Sequence, residues 1–317
     1  MAEAFRIATF NLETLGDERG GAIPLAERIA ALRPQLLALR ADVLCLQEVD
    51  AQEIAPHRRG LTALGQLVEA TQYAGYNYAV GETEPGHGPG DRHNLVVLSR
   101  YAILASRSVR HEKVAPPAAP SGMEPRFDRP ILQVELALPD GRSLHVLNLH
   151  LRAPLASYRP QAKQHGVWQG TRDWAEGFHL STLKRIGQAL EARLLVDDLL
   201  DVDAQALIAV AGDLNADLYE MPLRLLCAAP DDTNNEALAA RALSPAERRL
   251  PDGHRHTVIF GGRKVVLDHL LLSVALSSGL KSVEAKNEGL ADEVEARASS
   301  RREPGSFHAP LVAAFEI

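Results

Sequence analysis

Asn148 and His150 stand two apart at the close of the apolar run LHVLNLH, and Asp213 and Asn215 stand two apart at the close of ALIAVAGDLN. In an extended chain that spacing puts both members of a pair on one face. IATFN stops at Asn11 and DVLCLQE at Glu48; Asp268 interrupts the aliphatics of VVLDHLLLS, and His308 precedes the last apolar run. Amide, carboxylate and imidazole groups delivered repeatedly to the ends of apolar runs mark one shared rim. These are mostly hard oxygen donors, and no Cys cluster or His-x-x-x-His spacing accompanies them. Such an inventory suits Mg2+ or Mn2+ and disfavours zinc. Taken singly, a strand-terminal Asn or Asp is a common turn former and an isolated His a common structural residue. Asp268 differs, because a carboxylate inside an aliphatic strand needs a partner to offset desolvation. His308 is the expected partner, since the adjacent His269 should point to the opposite face.

The elements that must position these residues follow from the apolar pattern. Strands are expected at about 5–10, 43–46, 76–80, 95–98, 131–138, 144–149, 207–211, 265–272 and 311–315. In VIFGGRKVV, Gly261-Gly262 fits a tight hairpin turn needing positive φ. LSTLKRIGQALEARLL places Leu183, Ile186, Leu190 and Leu194 on one helical face, with Ser181 as its expected cap. A first helix is expected over 25–39, kinked or restarted at Pro34. Helix–strand alternation followed by hairpin-rich stretches predicts a mixed α/β domain with much antiparallel pairing. Nothing marks a second domain, so residues 1–317 are expected to form one.

Bulk properties narrow the function. A formal charge of −7 argues against a protein that coats nucleic acid electrostatically. The basic clusters near 58, 107–113, 245–256 and 299–303 read as solvated loops. Apolar runs are too short for a membrane span, and the N-terminal pattern lacks the features of a secretory signal. The two cysteines, with Cys45 in an apolar run, suit a reducing, cytoplasmic setting. Ala-, Leu- and Arg-heavy usage hints at a bacterial source. GxxxxGK[ST], GxSxG and an early GxGxxG are all missing, which removes support for a nucleotide-driven motor and a nucleophilic Ser enzyme.

Seven segments, in order TFNL, LQEV, NLVVLSR, LNLHL, GDLNA, LDHLLLS and SFHAPL, run through nearly the whole chain. Together they resemble the endonuclease/exonuclease/phosphatase superfamily of DNase I-like, Mg2+-dependent phosphoesterases. The resemblance implies a four-layer α/β (α+β) sandwich: two packed, mostly antiparallel sheets flanked by helices, with the site at one end. It implies Asn11 and Glu48 as metal-site residues, Glu48 being the principal carboxylate. Asp213 would orient or deprotonate the attacking water, and Asn215 would steady the phosphate. Asp268 and His308 would form a pair that stabilises charge on the phosphoryl oxygens. His150 would donate a proton or bind phosphate near the leaving group. Asn148 is expected to support that strand end and the substrate side of the site. The implied reaction is in-line attack of water on a phosphoester, assisted by Mg2+ (or Mn2+).

The chain departs from the family at its end, where the usual Ser-Asp-His reads Ser306-Phe307-His308. That Asp helps hold the metal in the family, and a phenyl ring supplies no ligand oxygen. Looser metal binding, rescue by Glu303 or Asp292, and a phosphate-binding member without hydrolysis all follow as alternatives. The segment 152–180 is expected to overhang the site with Arg152, Trp168 and Arg172, able to stack a base and pair with phosphate. Its other reading is a packed surface loop anchored by tryptophan. The substrate is then a phosphoester, whether nucleic acid, nucleotide or small phosphodiester, with no obligate protein partner.

Overall fold

The computed structural model describes residues 4–17, 23–84, 86–299 and 303–317; Arg301 and Arg302 of the last basic cluster lie outside them. Four strands begin a first sheet: β1 (Ala4–Leu15), β2 (Val43–Val49), β3 (Asn77–Val80) and β4 (Asn94–Ser99). A second sheet follows from β5 (Ile103–Val109), β6 (Ile131–Ala137), β7 (Ser143–His150), β8 (Leu207–Asp213), β9 (Ser244–Pro245) and β10 (Asp268–Leu272). The chain returns to the first sheet with β11 (Leu280–Ala285) and β12 (Leu311–Glu316). The spatial orders are β11-β12-β1-β2-β4-β3 and β9-β10-β8-β7-β6-β5. Only β1 with β2 and β7 with β8 pair in parallel within these sheets.

Alternation of side chains along each strand builds the layers. Phe5, Ile7, Val43 and Cys45 meet Val134, Val146, Ala209 and Leu270 in one buried cluster between the sheets. Their neighbours face outward. Ala8, Phe10 and Leu44 pack on Leu32, Leu36 and Leu39 of α1 (Leu25–Leu39) and on Leu64 and Leu67 of α2 (Thr62–Val68). Leu147, Leu149, Ile208 and Val210 pack on Ala189, Ala192 and Leu195 of α3 (Thr171–Val202). Helix, sheet, sheet, helix is the four-layer sandwich.

Several local expectations change. β5 and β11 are edge strands that the apolar pattern does not mark, because sheet edges carry polar side chains. The expected 265–272 strand divides. Arg263–Val265 pairs with Val258–Phe260 around Gly261 and Gly262, both at positive φ, while Asp268–Leu272 joins β8. Thr257 Oγ1 splits the run by accepting from the N–H groups of Leu267 and Asp268. α1 runs unbroken through Pro34, without the restart, because its buried leucines hold both halves against the first sheet. α3 starts ten residues earlier than the expected cap at Ser181, whose hydroxyl is buried mid-helix. That hydroxyl donates to Leu155 O (2.6 Å) and accepts from Ser157 N–H (3.0 Å), fastening the preceding loop to the helix. Among the described residues no helix is long and apolar enough to cross a membrane.

Candidate active site

The parity that turns Ile7, Cys45, Val146, Ala209 and Leu270 into the inter-sheet core continues to the strand ends, where the residues become polar. Asn11, Gln47, Asn148, His150, Asp213 and Asp268 thereby arrive at one end of the sandwich. Glu48 lies one residue out of phase on β2. A register shift between Leu46 and Val49, with Glu48 at φ 57, re-aims it. Gly212 has φ 140, and a Cβ there would sit 1.9 Å from Leu149 O, so only glycine lets β8 approach β7 beside the site.

Hydrogen bonds join the two sheets here. Asn11 Nδ2 donates to Asp213 Oδ2 (3.0 Å) and Glu48 Oε1 (3.4 Å). Thr14 N–H donates to Glu48 Oε2 (3.1 Å). His150 Nε2 lies 3.3 Å from Asp213 Oδ2 and 3.8 Å from Glu48 Oε1. His308 Nδ1 is 2.8 Å from Asp268 Oδ2, and its Nε2 is 3.9 Å from Asp213 Oδ2. Ser306 holds this corner by donating to Asn11 O (2.8 Å) and accepting from His308 N–H (3.0 Å). Asn215, at φ 49, donates its backbone N–H to Asp213 Oδ1 (2.9 Å) and its side-chain amide to Leu151 O (3.1 Å). His269 faces away as its parity requires, buried between Glu247 and Ala216 O.

The charges divide by environment. Burial opposes ionisation of Glu48, but the hydrogen bond to His93 and the fields of His150, His93 and Arg129 hold it far below the usual carboxylate range. Burial pushes Asp213 up to about 6 against the field of His308, and Asp268 adds to the rise. Burial, then Arg129, drives His150 well below the ordinary imidazole value, so it is neutral. Burial also opposes charge on His308, yet Asp268 and Asp213 outweigh it and keep an imidazolium. Two carboxylates and two imidazoles in one pocket thus adopt opposite protonation habits.

Three further residues belong to this cluster and were not singled out from sequence. His93 Nδ1 is 3.4 Å from Glu48 Oε2. Burial lowers the pKa of Arg129 against the fields of Glu48, Asp128 and Asp213, and its buried Nε has no hydrogen-bond partner among the described residues. Glu13 accepts the Phe307 N–H at 2.8 Å. His93 and Arg129 precede β4 and β6, which run antiparallel to β2 and β7. Strand entrances on antiparallel neighbours fall at the same end as strand exits, so scanning residues before apolar runs would have found both.

Other expected contacts move elsewhere. Asn148 is fully buried: it accepts from Gln47 Nε2 (2.8 Å) and donates to Leu46 O (3.1 Å) and Val96 O (3.0 Å). It clasps the sheets together and leaves no surface for substrate. Arg152 pairs with Asp128 (2.5 Å), beside Arg129. Trp168 sits in a short hairpin with Lys163 Nζ 4.6 Å over its ring, so a lysine occupies the face expected to stack a base. Arg172 is exposed on the first turn of α3. Of the expected rescuing acids, Asp292 caps the Glu293–Ala298 helix and accepts from Gly261 and Gly262 N–H. Glu303 lines a surface groove with Pro34, Gln35 and Lys286. Neither is joined to Glu48.

A four-layer sandwich with carboxylates, amides and imidazoles gathered at one end defines a phosphoesterase-type protein. The sequence profile of the endonuclease/exonuclease/phosphatase family matches residues 8–283, and the chain belongs to that family. Solved structures share the fold over almost its whole length. Truncated Caenorhabditis elegans TDP2 is 16% identical, with 99% of this chain and 98% of that one covered and a TM-score of 0.60. A family protein from Bacteroides thetaiotaomicron is 14% identical, with 100% and 99% covered and a TM-score of 0.61. A Neisseria meningitidis 3′-5′ exonuclease is 16% identical, with 98% and 100% covered and a TM-score of 0.54. A search of curated proteins returns no match.

Proposed function

We propose that the protein is a divalent-metal-dependent phosphodiesterase or nuclease. The observation that carries this reading is the meeting of Glu48, Asn11, Asp213 and His308 across two sheets, although they lie far apart in sequence. The donor set fits a hard cation: Glu48 is held ionised, and no thiolate accompanies it. Glu48 and Asn11 would hold Mg2+ or Mn2+, which when bound acts as a Lewis acid on the phosphoryl group. Ligand atoms of Asp213, Asp268 and His308 also lie within 4.8 Å of one another. Because His308 Nδ1 is committed to Asp268, that trio serves better as a charge relay to substrate than as a cage.

Asp213, poised near neutrality, orients the attacking water and takes its proton, and Asn215 fixes the Asp213 carboxylate. Imidazolium His308, with the Arg129 guanidinium, faces charge building on the phosphoryl oxygens. Neutral His150 can offer only an N–H hydrogen bond, to the phosphate or the leaving oxygen, and is not the general acid that the resemblance allowed. The test is hydrolysis of bis-p-nitrophenyl phosphate and of single- and double-stranded nucleic acids, with Mg2+, Mn2+ or chelator. Turnover should vanish with chelator and in Glu48→Gln. Turnover that ignores both contradicts the reading. Phe307 favours a second reading, a ligand-binding member without hydrolysis. Calorimetric binding of phosphoesters with no turnover across the panel would select it.

A further inference from the structure

Resting on that reading, we propose that Glu13 is a second carboxylate of the divalent-cation site, supplying the oxygen that the phenyl ring at 307 cannot. Its backbone is enclosed by the candidate ligands: Asn11 Oδ1 accepts the Glu13 N–H (2.8 Å), and Glu48 Oε2 accepts the next N–H, from Thr14 (3.1 Å). Glu13 Oε2 accepts the Phe307 N–H at 2.8 Å, which brings its carboxylate to the residue beside His308. Burial pushes its carboxyl up, the Phe307 N–H and the fields of His308 and Arg28 draw it back, and Glu48 adds to the rise. Glu13 is therefore on the same strand end as Asn11, with its carboxylate against the loop that carries Phe307 and His308.

Its placement is built rather than incidental. Arg28 reaches from α1 to Leu12 O, Glu13 O (2.7 Å), Pro304 O (2.9 Å) and Gly305 O, clamping the end of β1 to the loop that carries Phe307. Those bonds commit the guanidinium to carbonyls. Glu13 forms no ion pair with a lysine or arginine among the described residues, and the hydrogen bond from Phe307 engages only its Oε2. A hard cation gathers several oxygens, and one carboxylate with one amide is a sparse set. Glu13 is the acid whose carboxylate touches the Phe307 backbone, whereas Asp292 is used as a helix cap.

Calorimetric titration with Mn2+ tests this without turnover. Glu13→Gln retains a carbonyl for the Phe307 N–H and loses only the charge, so metal-free melting should be little changed. Its Mn2+ Kd should rise roughly 10- to 100-fold, with Glu48→Gln abolishing binding and Phe307→Asp restoring it in the Glu13→Gln background. Phe307→Asp in the native background should tighten binding by less than about threefold, because the position is already served. A Glu13→Gln Kd within about twofold of native, while Glu48→Gln still abolishes binding, overturns the role of Glu13 and leaves the metal-dependent reading standing. Strong tightening by Phe307→Asp alone overturns it as well. If the native protein takes up no Mn2+, both fall together.

Discussion

His308 keeps its proton because Asp268 lies 2.8 Å from Nδ1 in a fully buried strand position. Its folded pKa lies well above the ordinary value, so the pair's stabilisation is complete below about pH 6.5 and is lost as pH rises through the raised pKa. Asp268→Asn should cost roughly 3 kcal/mol in thermal melts at about pH 6 and much less in alkaline solution. Asp213 moves stability in the same direction with pH, over a more acidic window. Its folded pKa, about 6, exceeds the unfolded carboxylate value, so ionisation penalises the folded state above pH 6. Asp213→Asn should therefore remove turnover yet stabilise the metal-free protein above that pH by on the order of 2 kcal/mol, with little effect near pH 4. The first pairing was legible because a carboxylate among aliphatics demands a partner. Glu13, His93 and Arg129 were not, because their importance comes from what β1, β4 and β6 place beside them, and each looks like an ordinary loop charge in sequence.

β7 and β8 carry His150 and Asp213, and their side-by-side approach depends on Gly212. Gly212→Ala would place a methyl group against Leu149 O, and the strands must separate. A loss of roughly 3 kcal/mol or more is expected, read as a lowered denaturant midpoint. Asn148→Ala would strand the Leu46 and Val96 carbonyls and the Gln47 amide between the sheets, at a cost of about 3 kcal/mol by the same measurement. The central strands were readable from unbroken apolar runs, since they are buried on both faces. The edge strands Ile103–Val109 and Leu280–Ala285 were not, since one side of an edge has no sheet to cover it. The early start of α3 is not legible in the apolar pattern because its first turns pack on a loop, through Gly177 and Ser181 against Ser157, rather than on an apolar face.

At the level of the molecule, the layering explains why residues scattered from Asn11 to His308 form one centre: each sheet contributes strand ends to the same edge of a shared core. We propose that the chain unfolds as one domain, with coincident near- and far-ultraviolet transitions in denaturant; separated transitions would show two units. Which phosphoester is bound was not legible, because the loops over the site vary independently of the sandwich beneath them. The most direct test follows bis-p-nitrophenyl phosphate cleavage in 18O-labelled water with Mg2+, comparing native protein with His308→Ala. Incorporation of 18O into the phosphate product, with turnover falling by about 100-fold or more in the variant, is the expected result. Cleavage at an undiminished rate in His308→Ala, or product phosphate free of label, would contradict a water-attacking centre built around Asp213 and His308.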